Sequence, residues 1–336
     1  MKTPTRPYDE VSRFDEALDA RLMAGRLSAA LPGGCPRPCH VLDAKYEPGL
    51  RATVLYRHGD DLVRGDLLPA DVAGGYPAGT VPPGLALSVF PADPDLPTLP
   101  AVMDPARLGE ALRAAGAVPA AGSGRLGCRV RTLRYRPGKR ATVQVSTTPG
   151  RGALVAKVYH DPAKASAVAT EAAALDGVSD SRQVLRLAPP VGSMPDLAAV
   201  LHRSVCGRGL DVVVAGRRGP VREAVPAVRR AAAALAELHG LPVVSERRRP
   251  VQRELDRFLV RAGRVATVDP VLGAALAELA QRLRLVGAWL PAGPATLVHG
   301  DCKPSQFLLS GERITLLDLD SCGVADPAGD VGTFLA

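Results

Sequence analysis

His299-Gly300-Asp301-Cys302-Lys303-Pro304-Ser305-Gln306-Phe307-Leu308-Leu309 decides the reading of this chain, and Leu316-Leu317-Asp318-Leu319-Asp320 follows closely behind it. Apolar runs bracket both polar stretches, so each reads as a loop between short strands. The first loop carries a carboxylate, a lysine and an amide. A second carboxylate ends the next hairpin strand. Such a set suits phosphoryl transfer. A carboxylate can orient an acceptor hydroxyl and take its proton. Carboxylate and amide oxygens suit a hard cation such as Mg²⁺, and a nearby lysine offsets charge on the transferred group.

Upstream, the chain repeats itself. Cys39–Val54 reads CHVLDAKYEPGLRATV and Cys128–Val143 reads CRVRTLRYRPGKRATV, with nine of sixteen positions identical. Each copy reads as strand, Pro-Gly turn, strand. Two copies are too few for a solenoid and fit a duplicated sheet lobe. The second copy runs through Gly150-Arg151-Gly152 into the apolar strand 153–159, which holds Lys157; the first runs into 61–67, where a short gap sets Gly65 opposite Lys157. A Pro-rich linker spans Phe90 to Pro100, and Asp104–Ala115 reads as a helix with Asp104 as N-cap and Pro105 in its first position. Helices are also expected over Ala163–Leu175, which carries Glu171, and over Arg222–His239, Glu254–Ala262 and Pro270–Trp289. Two strands are expected over Leu185–Val205, before the break at Cys206-Gly207-Arg208-Gly209. These signals divide the chain into 1–103 with the first hairpin copy, 104–205 with the second, and a mainly helical 206–336.

The run His-x-Asp-x-Lys-Pro-x-Gln at 299–306 is similar to the protein-kinase catalytic loop H-R-D-L-K-P-E-N. Gly300, the Leu-Leu-Asp-Leu-Asp run and Ala325-Asp326-Pro327-Ala328-Gly329-Asp330 resemble more closely the aminoglycoside phosphotransferase and choline kinase group, with its H-G-D-x-x-x-x-N, I-D-W/F and G-D-P-x-x-D. The resemblance implies an α+β, protein-kinase-like two-lobed fold and the use of ATP and Mg²⁺. It makes Asp301 the catalytic base with Lys303 beside it, Gln306 and Asp318 metal ligands, and His299 a structural loop residue. Asp326 and Asp330 would fix the following loop and helix start. Lys157 becomes the strand lysine for the nucleotide phosphates and Glu171 the helix glutamate that positions it. The hairpin Tyr135–Arg140 takes the place of the Gly-rich loop. It has one glycine, for which Lys139 or Arg140 compensates, unless both only cover a strand face. The hinge around Val205 would offer backbone groups to adenine. Gln306 stands where the family usually has asparagine. Maltokinases resemble this chain in that residue and in carrying an extra N-terminal domain, which gives weight to a sugar acceptor.

Composition sets bounds. Hydrophobic residues make up 46%, charged residues 23% and aromatics 4%, with a formal charge of +8. That charge suits an anionic ligand such as a nucleotide, but no basic stripe with interleaved aromatics marks a nucleic-acid surface. The run Arg247–Arg249 reads as a solvated face. No segment has the length and apolarity to span a bilayer, and the acidic N-terminus is unlike a signal peptide, which implies a cytoplasmic protein. The six cysteines read as free thiols, and Cys35-x₃-Cys39 lacks a second ligand pair for zinc. Cys302 and Cys322 read as packing residues, and Asp320 as a loop-capping group. The partner implied is a small molecule with a hydroxyl group: a sugar, aminoglycoside or amino alcohol. The alternative is a kinase-like regulatory module that binds nucleotide without turnover, because the chain ends six residues after Asp330, where further helices normally follow in the family.

Overall fold

The computed structural model describes residues 7–32, 35–68, 80–118, 127–148, 152–175, 182–188, 190–216, 221–242, 245, 247–289, 293 and 295–336. Of the expected connection at 150–152, Gly150 and Arg151 lie outside them. Packing divides the chain into two compact units, one of Met1–Leu99, Pro137–Lys139 and Glu254–Leu290, the other of Pro100–Arg136, Arg140–Arg253 and Pro291–Ala336.

The first unit is built on β1 (Cys39–Glu47), β2 (Arg51–His58), β3 (Asp61–Leu67), β4 (Thr80–Val81) and β5 (Leu85–Val89), in the order β1-β2-β3-β5-β4. Helices Pro7–Leu18 and Ala20–Ala30 supply Ala17, Met23 and Leu27 to a core shared with Val54, Tyr56, Val63 and Leu85. Tyr56 reaches the core's edge, where its hydroxyl donates to the Ala17 carbonyl at 2.7 Å. Gly65 is opposite Val54, and a Cβ there would lie 3.2 Å from the Tyr56 ring, so the glycine makes room for that ring.

A buried ion cluster closes one side of this sheet. The Arg64 guanidinium is 2% exposed and pairs with Asp93, whose side chain is fully buried, with Asp95 at 2.6 Å and with Asp66 at 2.7 Å; Arg51 joins Asp66 and Asp95.

The second unit carries the other hairpin copy. Strands β6 (Gly127–Arg136), β7 (Arg140–Thr148), β8 (Ala153–Tyr159), β9 (Leu185–Leu187), β10 (Pro190–Met194) and β11 (Ala199–Arg203) follow in sequence, and five of them form an antiparallel sheet, β10-β11-β8-β7-β6. Leu185–Val205 therefore holds three strands rather than two, because β9 pairs separately with the segment Ile314–Leu316 while the turn Pro195–Ala198 folds β11 back on β10. The ladder also corrects the repeat alignment. Thr142 faces Lys157, and the matching Thr53 faces Asp66, not Gly65. The lysine's place in the first copy is taken by a carboxylate.

Helix Pro162–Ala173, capped by Asp161 on the Ala163 N–H at 2.8 Å, lays Ala165 and Val168 against Tyr159 and Val200. Helix Pro105–Ala114 has the expected Asp104 cap, with Pro105 inside its first turn. Helix Ala224–His239 buries Ala227, Ala231, Ala234, Leu235 and Leu238, one stripe at helical spacing. The unit also holds β12 (Arg208–Gly209), β13 (Thr296–Val298), β14 (Phe307–Ser310), β15 (Arg313–Leu316) and β16 (Gly323–Ala325), and the stripe shares its core with Leu297 of β13, Phe307 of β14, and Ile314 and Leu316 of β15. Their order is β12-β14-β15-β9 in one sheet and β13-β16 in another. The fold class is α+β, a strand-rich part followed by a helical one, as the kinase-like resemblance implies. Among the described residues no helix is long and apolar enough to cross a membrane.

Replacing Arg64 by methionine removes the guanidinium from the buried Asp93 carboxylate, which keeps the N–H groups of Asp95 at 2.9 Å and Gly138 at 2.8 Å as hydrogen-bond donors. The expected loss is about 3 kcal/mol in urea unfolding followed by circular dichroism.

Candidate functional site

Strand β13 delivers the chain into His299-Gly300-Asp301. His299 is fully buried. The Asp301 N–H donates to its Nδ1 at 3.3 Å, which assigns the ring proton to Nε2, and Nε2 donates to the Leu317 carbonyl at 2.8 Å. The imidazole thus joins the 301 loop to the end of β15. Asp330 holds the same loop from the other side. Its two carboxylate oxygens accept from the backbone N–H groups of His299 at 2.7 Å and Gly300 at 2.8 Å, and His239 Nε2 is 3.0 Å away. Burial pushes the Asp330 carboxyl up, but the His239 and backbone hydrogen bonds outweigh it and hold it below the usual carboxylate range. Asp326 caps Ala328 N–H at the start of the last helix.

Gly300 has φ +75°, and a Cβ there would collide with the Arg249 guanidinium and the Ser321 carbonyl. Arg249 fills that space and donates to the Gly300 carbonyl at 3.0 Å and the Ser321 carbonyl at 2.7 Å. Arg247, two residues earlier, donates to the Asp320 carbonyl at 2.9 Å. The basic run is thus no plain solvated face: it stitches the 301 loop to the 318–321 turn. Single-residue charge patterning gave no sign of this, because the arginines act on backbone carbonyls.

Asp301 is half-buried with Lys303 Nζ 2.6 Å from its Oδ1. Lys303, Pro304 and Gln306 form a tight turn, with the Gln306 N–H donating to the Lys303 carbonyl and the Leu317 N–H to the Gln306 carbonyl, both at 2.9 Å. The second bond sets residue 306 beside the strand end that precedes Asp318. Asp318 has φ +60°, a left-handed conformation that a non-glycine residue holds at some cost.

The sheet supplies the opposing charge. Directly opposed residues of an antiparallel pair share a face, as do residues two apart on one strand. Arg140 faces Tyr159 and Thr142 faces Lys157, so Arg140, Lys157 and Tyr159 project together. Arg140 grips Asp318 with two nitrogens, at 3.0 and 2.9 Å, and Asp320 at 2.7 Å. Lys157 Nζ lies 3.1 Å from Asp318 and 3.0 Å from Asp320. Tyr159 donates to Asp320 at 2.7 Å. Burial opposes ionisation of Asp318, but Lys157 and Arg140 hold it far below the usual range. Burial and the Asp320 charge push the Tyr159 phenol well up.

The structure brings Arg140, Lys157 and Asp318 together and sets Asp301 against Lys303. It does not pair Lys157 with Glu171, whose carboxylate is 3.3 Å from Arg247. Lys139 belongs to the first unit, where Lys45 foremost, and Lys139 with it, hold Glu47 below the usual carboxylate range. Val205 lies half-buried between β11 and β12, in a segment tied by the Ser204 N–H to the Ala153 carbonyl at 2.9 Å. Cys302 and Cys322 are core residues, with thiols that burial pushes up to about 12.

Among the described residues no group of three or more His, Cys, Asp and Glu could hold a metal. Asp318, with the Gln306 amide at the neighbouring turn, nonetheless offers oxygen donors of the kind that suit Mg²⁺ once phosphate oxygens add to them. In this structure the Asp318 oxygens are occupied by Arg140 and Lys157.

A model of the phosphotransferase enzyme family matches residues 132–336. No curated protein matches the chain. Among solved structures, an aminoglycoside phosphotransferase in a streptomycin–ATP complex is 14% identical with a TM-score of 0.48, over 67% of this chain and 73% of that one. A choline/ethanolamine kinase family protein from Mesorhizobium loti is 21% identical with a TM-score of 0.44, over 67% and 68%. A spectinomycin phosphotransferase with ADP and spectinomycin is 12% identical with a TM-score of 0.44, over 67% and 71%.

Asp330 has a lower pKa folded than unfolded, so on acidification the unfolded chain takes the proton first. Its contribution is complete above the ordinary aspartate value and fades as the pH falls through the folded one. Asp330→Asn is expected to cost about 2 kcal/mol at neutral pH and to flatten the loss of stability below about pH 4, read from urea unfolding at a series of pH values.

Proposed function

The chain belongs to the phosphotransferase enzyme family, and from that premise we propose that it transfers the γ-phosphoryl group of ATP to a hydroxyl of a small molecule such as a sugar, aminoglycoside or amino alcohol. The observation that carries the reading is the meeting of Arg140 and Lys157, from the sheet, with Asp318 and Asp320, one turn from the 301 loop. Two fixed cations suit a polyphosphate, and the Asp318 carboxylate suits the cation that accompanies it.

Each residue has a distinct part. Asp301 orients the acceptor hydroxyl and takes its proton, with Lys303 stabilising the carboxylate and the charge of the transferred group. Arg140 and Lys157 bind nucleotide phosphates. The backbone near Val205 meets the base. Asp318 and Gln306 would hold Mg²⁺, which when bound neutralises phosphate charge. His299 and Asp330 keep the 301 loop in one conformation, so the base is positioned before substrate arrives.

A nucleotide-binding module without turnover is the second reading. The grip of Arg140 on Asp318 favours it, because that carboxylate is saturated by the chain itself.

The test is a coupled ADP assay with Mg²⁺ against a panel of hydroxylated metabolites. Asp301→Asn is expected to lower kcat by about 10²–10⁴-fold with the KM for ATP little changed. Lys157→Ala is expected to raise that KM by about tenfold or more and to weaken protection by ATP against thermal unfolding. Equal background rates for wild type and Asp301→Asn support the second reading.

A further inference from the structure

We propose that Asp320, rather than Glu171, is the carboxylate that positions Lys157 for the nucleotide phosphates, an inference that rests on the phosphotransfer reading. Lys157 is buried, and its ammonium meets two carboxylates, Asp318 at 3.1 Å and Asp320 at 3.0 Å. Asp318 is the residue placed to serve the cation. Asp320 is then the partner that stays with the lysine.

Asp320 is built for a fixed position. Its Oδ2 accepts from Tyr159 and from Arg140 Nη1, both at 2.7 Å, which leaves Oδ1 to Lys157. Its backbone sits in the short turn Leu319–Ser321, closed by the Cys322 N–H on the Leu319 carbonyl at 2.9 Å. Its own carbonyl is held by Arg247. Side chain and main chain are therefore both tethered, and Tyr159 and Lys157 come from the same face of β8. A carboxylate fixed in this way can hold a lysine in one geometry without help from a helix.

Glu171 does different work. Its carboxylate is 37% exposed and pairs with Arg247, the residue that holds the Asp320 carbonyl. Glu171 thus acts on Lys157 two steps away, through Arg247 and the turn. The sequence feature behind the arrangement is the Asp-Leu-Asp spacing, which puts a second carboxylate one short turn beyond the first.

The experiment is acetylation of the full-length chain with limiting acetic anhydride, without nucleotide, and mass spectrometry of the peptide that holds Lys157. Asp320→Asn is expected to speed Lys157 acetylation by about tenfold, the weight of one charge-assisted hydrogen bond, while Glu171→Gln stays within about twofold of wild type. Tyr159→Phe, a smaller change, is expected to give an intermediate rise and carries the test if Asp320→Asn does not fold. In the ADP assay Asp320→Asn is expected to raise the KM for ATP more than it lowers kcat, and Asp320→Glu to recover part of the loss. Faster acetylation in Glu171→Gln, with Asp320→Asn and Tyr159→Phe unchanged, overturns the assignment. If wild type neither turns over nor gains thermal stability from ATP, the phosphotransfer reading fails, and the footprint alone then judges the Lys157–Asp320 contact.

Discussion

Four charges in the second unit, Arg140 and Lys157 against Asp318 and Asp320, set the terms for everything around them. All four side chains are largely withdrawn from water, where an unmatched charge is expensive. The match requires two distant stretches of chain to arrive together. The sheet presents its cations by strand alternation. The 318–321 turn presents its carboxylates through a left-handed Asp318. Arg249 joins the loop that carries Asp301 to the same turn, and His299 ties it to Leu317 just before that turn. Asp330 holds its backbone from the last helix, so Asp301 and the charge cluster form one mechanical piece.

The duplicated hairpin shows what the second copy kept and the first changed. Arg51 and Arg140 are matching residues of the repeat, and each pairs with carboxylates. In the first copy the lysine's place holds Asp66, and Arg64 fills the adjacent space with a guanidinium that is 2% exposed. Its positive and negative groups satisfy one another in a closed, structural cluster. In the second copy the cations Arg140 and Lys157 face the carboxylates of Asp318 and Asp320 from a distant turn. The same hairpin closes on its own charges in one place and on the 318–321 turn in the other.

Much of this was legible in the sequence where local chemistry decides it. Turn residues marked both hairpins, Asp104 and Pro105 marked a helix start, and the spacing of Asp301, Gln306 and Asp318 marked the candidate site. What was not legible depends on register or on backbone acceptors. A gap placed by eye set Gly65 against Lys157, and one residue of slip on a strand moves a side chain to the other face. Arg247 and Arg249 read as a solvated run because their partners, the carbonyls of Gly300, Asp320 and Ser321, carry no signal in the side-chain sequence. Glu171 looked like the lysine's partner because it was the next glutamate on a helix. The partner that the fold supplies is more than 150 positions further on, at Asp320.

The central claim is that this charge cluster receives a nucleotide together with a divalent cation. Isothermal titration calorimetry with ATP, in the presence and absence of Mg²⁺, on wild type and Asp318→Asn tests it most directly. The account predicts that Mg²⁺ strengthens ATP binding to wild type and that Asp318→Asn removes most of that dependence. Equal Mg²⁺ dependence in the two proteins, or no binding of ATP to wild type, would contradict it.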